Sequence, residues 1–176
     1  GVDRTNNDGC ILLEKGETMK KVCLAGCGRL GHVIADGLMA GKVPGAELTA
    51  VLVQTAEKLQ AELGCLVTTD LQDLLSAKPA YVIESAGNGV VRQITVPVLE
   101  AGADLIVLST SIFGESAFYD QARAAATRYG RQIHLAHGVI GGLDVVETAA
   151  MMGEVTAGLT KRKFSKGSAR SDAALD

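Results

Sequence analysis

The chain carries a glycine signature, Gly26-Cys27-Gly28-Arg29-Leu30-Gly31, between the apolar run Val22–Ala25 and an apolar pattern of helical period. In this strand–turn–helix context, three glycines at this spacing predict a turn that binds the pyrophosphate of a dinucleotide. Gly26 permits the tight turn, Gly28 lets the backbone approach the phosphates, and Gly31 lets helix and strand pack closely. The N-terminal amides of the helix then face the phosphates at the positive end of the helix dipole.

The composition predicts a globular protein of one sizeable domain, or of one domain and the start of a second. Of the 176 residues, 47% are hydrophobic and 21% are charged, whereas only 3% are aromatic. A core of Ala, Val, Leu and Ile suits buried parallel strands. The formal net charge of −3 gives no reason to expect a nucleic acid or an anionic membrane as partner. No apolar run reaches membrane-spanning length.

The cysteines and the N-terminal segment indicate the cellular compartment. Four cysteines, at positions 10, 23, 27 and 65, form no C-x-x-C pair and have no histidine set nearby. They predict neither a zinc site nor a disulfide framework, and reduced thiols are typical of a cytoplasmic protein. Residues 1–18 lack the basic region and cleavage site of a signal peptide, and Met19 has the form of a natural start.

Apolar, strand-like runs alternate with helical patterns up to residue 136. Strands are predicted at residues 22–25, 47–53, 65–68, 80–84, 104–108 and 132–136. Helices are predicted between them, including one capped by Asp70, one that begins at Asn88 and one that ends near Gly130. This strict alternation predicts an α/β fold, a doubly wound parallel sheet of Rossmann type.

Four segments organise the chain in this interpretation. They are an N-terminal extension (1–18), a dinucleotide-binding domain (19–137), the start of a second α+β domain for substrate and subunit contacts (138–164), and a flexible tail (165–176). The ligand crevice is expected at the carboxyl ends of the strands, where the strand order reverses. The loops 26–31, 54–55, 85–89 and 109–114 meet at that edge.

The residue at the end of the second strand normally distinguishes NAD from NADP. Here the strand ends in Val53-Gln54-Thr55, with no Asp or Glu at the expected place. Gln54 can hydrogen-bond a ribose hydroxyl without repelling a 2′-phosphate, and the nearby cations Arg29 and Lys58 would offset phosphate charge. We therefore predict that the protein uses NAD or NADP, although a solvated strand end would also explain Gln54.

Few other polar residues point to chemistry. Glu84 lies on a predicted core strand, where a carboxylate needs partners, and we expect it to orient the loop 85–89. Asp144 is expected to cap a helix. His137 has the pKa range of a general acid or base, but a lone loop histidine is more often a surface residue.

Three further blocks resemble the L-aspartate dehydrogenase family. Val82–Gly87 is similar to the family's V-V-E-C/A-A segment, and Ile106–Ser111 to its V-V-S-x-(S/G)-A/I-(F/L) strand and loop. Gly138–Asp144, which reads G-V-I-G-G-L-D, is similar to the block G-A-I-G-G-L-D. The resemblance runs from about Met19 to about Lys163, or about two-thirds of the family's length.

This resemblance implies a dimeric oxidoreductase that oxidises L-aspartate to iminoaspartate with NAD or NADP and is linked to NAD biosynthesis. By position, the pyrophosphate would be held by Gly26, Gly28, Arg29, Leu30 and Gly31. Ala86 and Gly87 would line the nicotinamide side, Ser109 and Thr110 the neighbouring wall, and Val139 a cofactor contact where the family usually has alanine. The family's catalytic histidine lies beyond this chain, so no catalytic residue is assigned, and we expect feeble turnover of aspartate at most.

Two alternatives stay open from the sequence. The first is another amino-acid dehydrogenase or reductase of the same architecture, such as a homoserine dehydrogenase-like or dihydrodipicolinate reductase-like enzyme. The second is a nucleotide-binding module without catalysis.

Overall fold

The computed structural model describes residues 19–56, 60–136, 149–154, 156 and 158. Packing divides the chain into two compact units, Gly1–Gly138 and Val139–Asp176. In the second unit, residues 149–152 are helical, and Met151 and Met152 are exposed. The predicted second domain, the N-terminal extension and the tail lie largely outside the described residues, and the domain boundaries stay predictions.

A single parallel sheet of six strands forms the centre of the first unit. The strands are β1 (Lys20–Ala25), β2 (Ala46–Leu52), β3 (Leu66–Thr68), β4 (Tyr81–Glu84), β5 (Asp104–Val107) and β6 (Ile133–Leu135). They lie in the order β3-β2-β1-β4-β5-β6, and every neighbouring pair is parallel. This order reverses direction between β1 and β4, which places a crevice at the carboxyl ends of these two strands.

Helices connect the strands, as a parallel sheet requires. They are α1 (Arg29–Met39), α2 (Gln60–Leu63), α3 (Leu71–Ser76), α4 (Asn88–Glu100) and α5 (Ser116–Tyr129), with a 3₁₀ helix at Thr110–Gly114. Asp70 caps α3 by accepting a hydrogen bond from the Gln72 amide at 2.8 Å, and Gly130 ends α5 in the left-handed conformation. None of the helices in the described part is long and apolar enough to cross a membrane.

The sheet buries apolar side chains in two clusters. The larger one contains Val82 on β4, Leu105 on β5, and the inner faces of α4 and α5. The smaller one contains Leu24 on β1, Val51 on β2 and Ala35 on α1. A sheet that buries two such clusters is the doubly wound arrangement, and the predicted fold class is confirmed for this unit.

The ends of the predicted strands differ from the structure by one or two residues, and one element was missed. The 3₁₀ helix at Thr110–Gly114 lies in a stretch that was expected to be a loop, because its serine, threonine and glycine residues lack an apolar period. The apolar pattern of α1 is also only half buried. Its inner face is formed by Gly31, Ala35 and Leu38, whereas Val33 and Met39 are exposed.

We expect Leu105→Ala to destabilise the domain by about 2–5 kcal/mol, because Leu105 is fully buried and its truncation leaves a cavity. Leu135→Ala is the matched control, since Leu135 lies on the neighbouring strand β6 and is 42% exposed. Urea unfolding followed by circular dichroism measures both free energies of unfolding. Equal losses in the two variants would contradict this description of the core.

Candidate functional site

The glycine turn begins in a conformation that only glycine adopts without strain. Gly26 has φ of +98°, which L side chains rarely adopt. A Cβ atom on Gly26 would lie 2.6 Å from the Cβ atom of Ala86, in the loop after β4. The turn after β1 and the loop after β4 are therefore in direct backbone contact.

The turn leaves no room for a Cβ atom at position 31. A Cβ atom on Gly31 would lie 2.5 Å from the carbonyl oxygen of Gly26 and 2.9 Å from Ser85 Oγ. Ser85 Oγ also donates a hydrogen bond of 2.8 Å to that carbonyl oxygen. The sequence predicted a close approach of helix and strand at Gly31, and the neighbours are in fact the turn and the Ser85 side chain.

Gly28 differs from the other two glycines because space is open beside it. It is the N-cap residue of α1, and no side chain caps this helix. A Cβ atom on Gly28 would meet no atom within 4 Å. The open space and the uncapped helix N-terminus suit an anionic group that accepts hydrogen bonds from backbone amides, as a pyrophosphate does.

A cleft of about 650 Å³ opens beside this turn. It is lined by Gly26, Cys27, Gly28, Leu52, Val53, Gln54, Thr55, Thr69, Leu71, Ser85, Ala86, Val90, Gln93 and Ile94. None of these lining residues has a charged side chain. A mixture of apolar side chains, amides and hydroxyls suits the uncharged base and ribose of a nucleotide, while its phosphates would face the N-terminus of α1.

The structure brings some of the predicted site residues together at this cleft. Gly26, Gly28, Gln54 and Ala86 line it, and Gln54 is exposed at the end of β2. Arg29 and Leu30 are exposed in the first turn of α1, next to Gly28. The cofactor contacts of all these residues stay predictions.

Three further predicted residues follow β4 or β5 at the same edge but do not line this cleft. Gly87 is the N-cap residue of α4, Ser109 is the N-cap residue of the 3₁₀ helix, and Thr110 begins that helix. Val139, His137, Asp144 and Lys58 lie outside the described residues.

Glu84, the last residue of β4, connects two of these loops. It is fully buried, and its carboxylate accepts hydrogen bonds from the amides of Ala86 (2.7 Å) and Gly87 (2.6 Å). It also accepts hydrogen bonds from the Ser109 amide (3.0 Å) and from Ser109 Oγ (2.9 Å). The expectation that Glu84 orients the loop after β4 is confirmed, whereas its contact with Ser109 was not foreseen.

This arrangement limits how the loops can meet a ligand. The amides of Ala86, Gly87 and Ser109 donate inward to Glu84, as does the Ser109 hydroxyl. A ligand at this wall would therefore meet side-chain carbon atoms, carbonyl groups and the lone pairs of Ser109 Oγ instead of these donors.

The thiol in the glycine turn is held in its neutral form. Burial, and then the negative charge of Asp36, raise the pKa of Cys27. Its Sγ lies 3.7 Å from Nδ1 of His32, and this nitrogen is 2.9 Å from the Gly28 carbonyl oxygen. Burial likewise raises the pKa of Cys23, inside the sheet, and of Cys65. Since the thiolate is the reactive form, these thiols are less reactive than a free cysteine at neutral pH.

Sequence reasoning missed Ser85, Thr69 and Gln93 as residues of the site. Ser85 belongs to a block that resembled the family, but its role follows from a contact across 59 residues. Thr69 follows β3, and Gln93 lies one turn and a half into α4. Their place at the end of a strand and on the first helix after β4 is the signal that would have identified them.

The strand order, and the glycine-rich helix N-terminus where that order reverses, together define the class of Rossmann-type dinucleotide-binding domains. Residues 26–136 match the family described as homoserine dehydrogenase, NAD binding domain. This match covers more than half of the chain, and the chain belongs to this family of NAD-binding domains.

Individual relatives confirm the resemblance to L-aspartate dehydrogenases. The L-aspartate dehydrogenase of Archaeoglobus fulgidus is 32% identical over 142 residues, which are 81% of this chain and 56% of that protein. The L-aspartate dehydrogenase of Methanocaldococcus jannaschii is 28% identical over 140 residues, which are 78% of this chain and 52% of that protein. The chain thus spans about half the length of these curated relatives, less than the two-thirds expected.

Solved structures share the fold at lower identity. The aspartate dehydrogenase of Thermotoga maritima superposes with a TM-score of 0.59 at 19% identity, over 73% of this chain and 50% of that chain. The WlbA dehydrogenase of Bordetella pertussis, in complex with NADH and UDP-GlcNAcA, superposes with a TM-score of 0.64 at 16% identity, over 77% of this chain and 40% of that chain.

Because Gly26 and Gly28 have different surroundings, we expect an added methyl group to change the free energy of unfolding differently at the two positions. We expect Gly26→Ala to lower the free energy of unfolding by about 1–3 kcal/mol or more, because its φ is positive and its Cβ would overlap Ala86. Gly28→Ala should change it by less than about 1 kcal/mol, since its φ of −78° suits alanine and the space is open. Thermal and urea unfolding measure both, and a Gly28→Ala variant as unstable as Gly26→Ala would contradict the assignment.

Proposed function

We propose that this domain binds NAD or NADP for the oxidation of L-aspartate to iminoaspartate. The observation that carries the nucleotide-binding part is the open, uncapped N-terminus of α1 at Gly28, beside a cleft without charged side chains. The L-aspartate part is supported by the names of the relatives and by the three sequence blocks. The NAD-binding family is named for homoserine dehydrogenase, so the family leaves the substrate to be tested.

The residues of the chain have separate tasks in this proposal. Gly28 and the first-turn amides of α1, with Arg29 and Leu30, bind the pyrophosphate. The lack of a Cβ atom at Gly26 and Gly31 permits the close contacts that shape the turn. Ala86, Gly87, Ser109 and Thr110 form the wall on the nicotinamide side, and Val139, outside the described residues, is a further proposed cofactor contact. When bound, the cofactor supplies the hydride acceptor, and the domain holds it in one orientation and excludes water from one face.

The remaining parts of the proposal concern the whole protein. We propose that residues 19–137 are the cofactor domain and that residues 138–164 begin the domain for substrate and subunit contacts. The working form is a cytoplasmic homodimer linked to NAD biosynthesis.

Reduction of NAD by L-aspartate, compared with L-homoserine at equal concentration and followed at 340 nm, tests the substrate, and faster reduction by L-homoserine would refute it.

Titration of the chain with NADH, followed by nicotinamide fluorescence, tests cofactor binding. We expect saturable binding, and we expect Gly28→Ala to weaken it by about tenfold or more, because the added methyl group occupies the space next to the phosphates. Gly37→Ala is the matched control, since Gly37 lies on the same helix and also has open space beside it. Absence of saturable binding, or equal effects of the two variants, would refute the assigned site.

A negative charge introduced at position 54 tests whether the domain binds both NAD and NADP. We expect Gln54→Glu to weaken NADPH binding by at least about tenfold, because a carboxylate repels the 2′-phosphate. NADH binding should change by less than about threefold, since a carboxylate can accept hydrogen bonds from the ribose. Gln121→Glu, which adds the same charge on the exposed side of α5, is the control. An unchanged ratio of the NADPH and NADH dissociation constants would show that Gln54 does not contact this ribose.

A further inference from the structure

The carboxylate of Glu84 holds three backbone amides and one hydroxyl from two loops, and Ser109 in the second loop is 25 residues from Glu84 in sequence. We call this set of four hydrogen bonds, made with Ala86, Gly87 and Ser109, the Glu84 bridge. The side chain is fully buried and does not line the cleft. Glu84 therefore acts on the edge of the sheet only through the loops that it holds.

The bridge binds the two loops firmly because the Glu84 carboxylate depends on these hydrogen bonds instead of on a positive side chain. Within the described part of the chain, the ion pair between Arg92 and Glu115 is found, and no cation pairs with Glu84. A buried carboxylate without a counter-ion depends on its hydrogen bonds for stability. If either loop moved away, a buried charge would lose its partners, so the loops after β4 and β5 are coupled to each other.

The bridge also reaches the glycine turn. Ser85 lies between Glu84 and Ala86, and its Oγ donates to the Gly26 carbonyl oxygen at 2.8 Å. Ala86 is in contact with Gly26, where no Cβ could be accommodated. The three loops that follow the adjacent strands β1, β4 and β5 are thus joined into one hydrogen-bonded unit.

At the far end, surface contacts fasten the loop after β5. Asn88 and Ser111 exchange side-chain hydrogen bonds of 2.9 and 3.2 Å, and Arg92 pairs with Glu115 at 2.6 Å. Asn88, Ser111 and both members of the ion pair are exposed, and exposed contacts contribute little. Glu84 is the buried polar anchor of Ser109, and Ile112, which is buried in the core, anchors the 3₁₀ helix that follows.

We propose that Glu84 is a positioning residue for the cofactor. Through Ala86, Gly87 and Ser109, it holds the wall beside the glycine turn in one arrangement and thereby sets the affinity for the nicotinamide half of the dinucleotide without touching it. This inference rests on the proposed function. The adenosine half would occupy the part of the cleft at the ends of β2 and β3, at residues such as Gln54 and Thr69, which the bridge does not contact. Among the three residues that the bridge holds, Ala86 lines the cleft, next to Gly26.

Glu84→Gln weakens the link between the two loops while conserving shape. A glutamine oxygen can still accept from Ala86, Gly87 and Ser109 Oγ, but its amide nitrogen then faces the Ser109 amide, and two donors cannot pair. We expect NADH binding to weaken by about tenfold, the loss of one hydrogen bond to a charged acceptor. Binding of ADP, which lacks the nicotinamide half, should change by less than about threefold.

The experiment is calorimetric titration of the 176-residue chain and its variants with NADH and with ADP. Glu115→Gln is the matched control, because it makes the same substitution at an exposed position close to the same wall and should leave both dissociation constants unchanged. Ser109→Ala removes one donor of the bridge and should weaken NADH binding in the same direction but less. It carries the test if Glu84→Gln does not fold. Amide hydrogen exchange should accelerate at Ser109 in Glu84→Gln and stay slow at Leu24.

The outcomes separate this inference from the proposed function. Selective loss of NADH affinity supports the inference. Equal losses for NADH and ADP would show a merely structural residue, and unchanged affinities would show that the wall does not meet the cofactor; either overturns the inference and leaves nucleotide binding intact. Failure of the unmodified chain to bind either ligand would overturn the proposed function, and the inference with it.

Discussion

The contact between the turn after β1 and the loop after β4 is the constraint on which the rest of the site depends. Gly26 and Ala86 approach so closely that any Cβ atom on Gly26 would lie 2.6 Å from its neighbour. Because β1 and β4 are adjacent and parallel, their carboxyl ends converge at the point where the strand order reverses. The close approach places the N-terminus of α1 at the mouth of the cleft, with no side chain between its amides and a ligand.

Local patterns in the sequence were sufficient to predict the sheet and the glycine turn. Apolar runs such as residues 81–83 and 105–107 are short and continuous because both faces of these parallel strands are buried or half-buried, and this property can be read directly. The capping role of Asp70 is equally local. The 3₁₀ helix at Thr110–Gly114 could not be predicted, since tertiary contacts such as the burial of Ile112 in the larger core cluster stabilise it.

The polar interior of the site was predictable only in part, for a related reason. A glutamate on a core strand must find partners, and an effect of Glu84 on its own loop could be expected from proximity in sequence. Its bonds to Ser109 depend on the register of β4 against β5, where Glu84 lies opposite Val107. Ser109 was therefore assigned to a ligand, although its two donors are used by a buried carboxylate.

In the proposed function, different residues recognise the cofactor and the substrate. For this reason the structure identifies the class of the domain more firmly than the reaction. The residues that line the cleft, from Gly28 to Gln54, are proposed to recognise parts of a dinucleotide that many dehydrogenases share. Discrimination between aspartate and homoserine requires groups that recognise a second carboxylate or a hydroxyl, and none of the described residues lining this cleft has a charged side chain. In the proposed function, substrate choice therefore arises from residues outside this cleft, while the coupled loops of β1, β4 and β5 hold the cofactor in position.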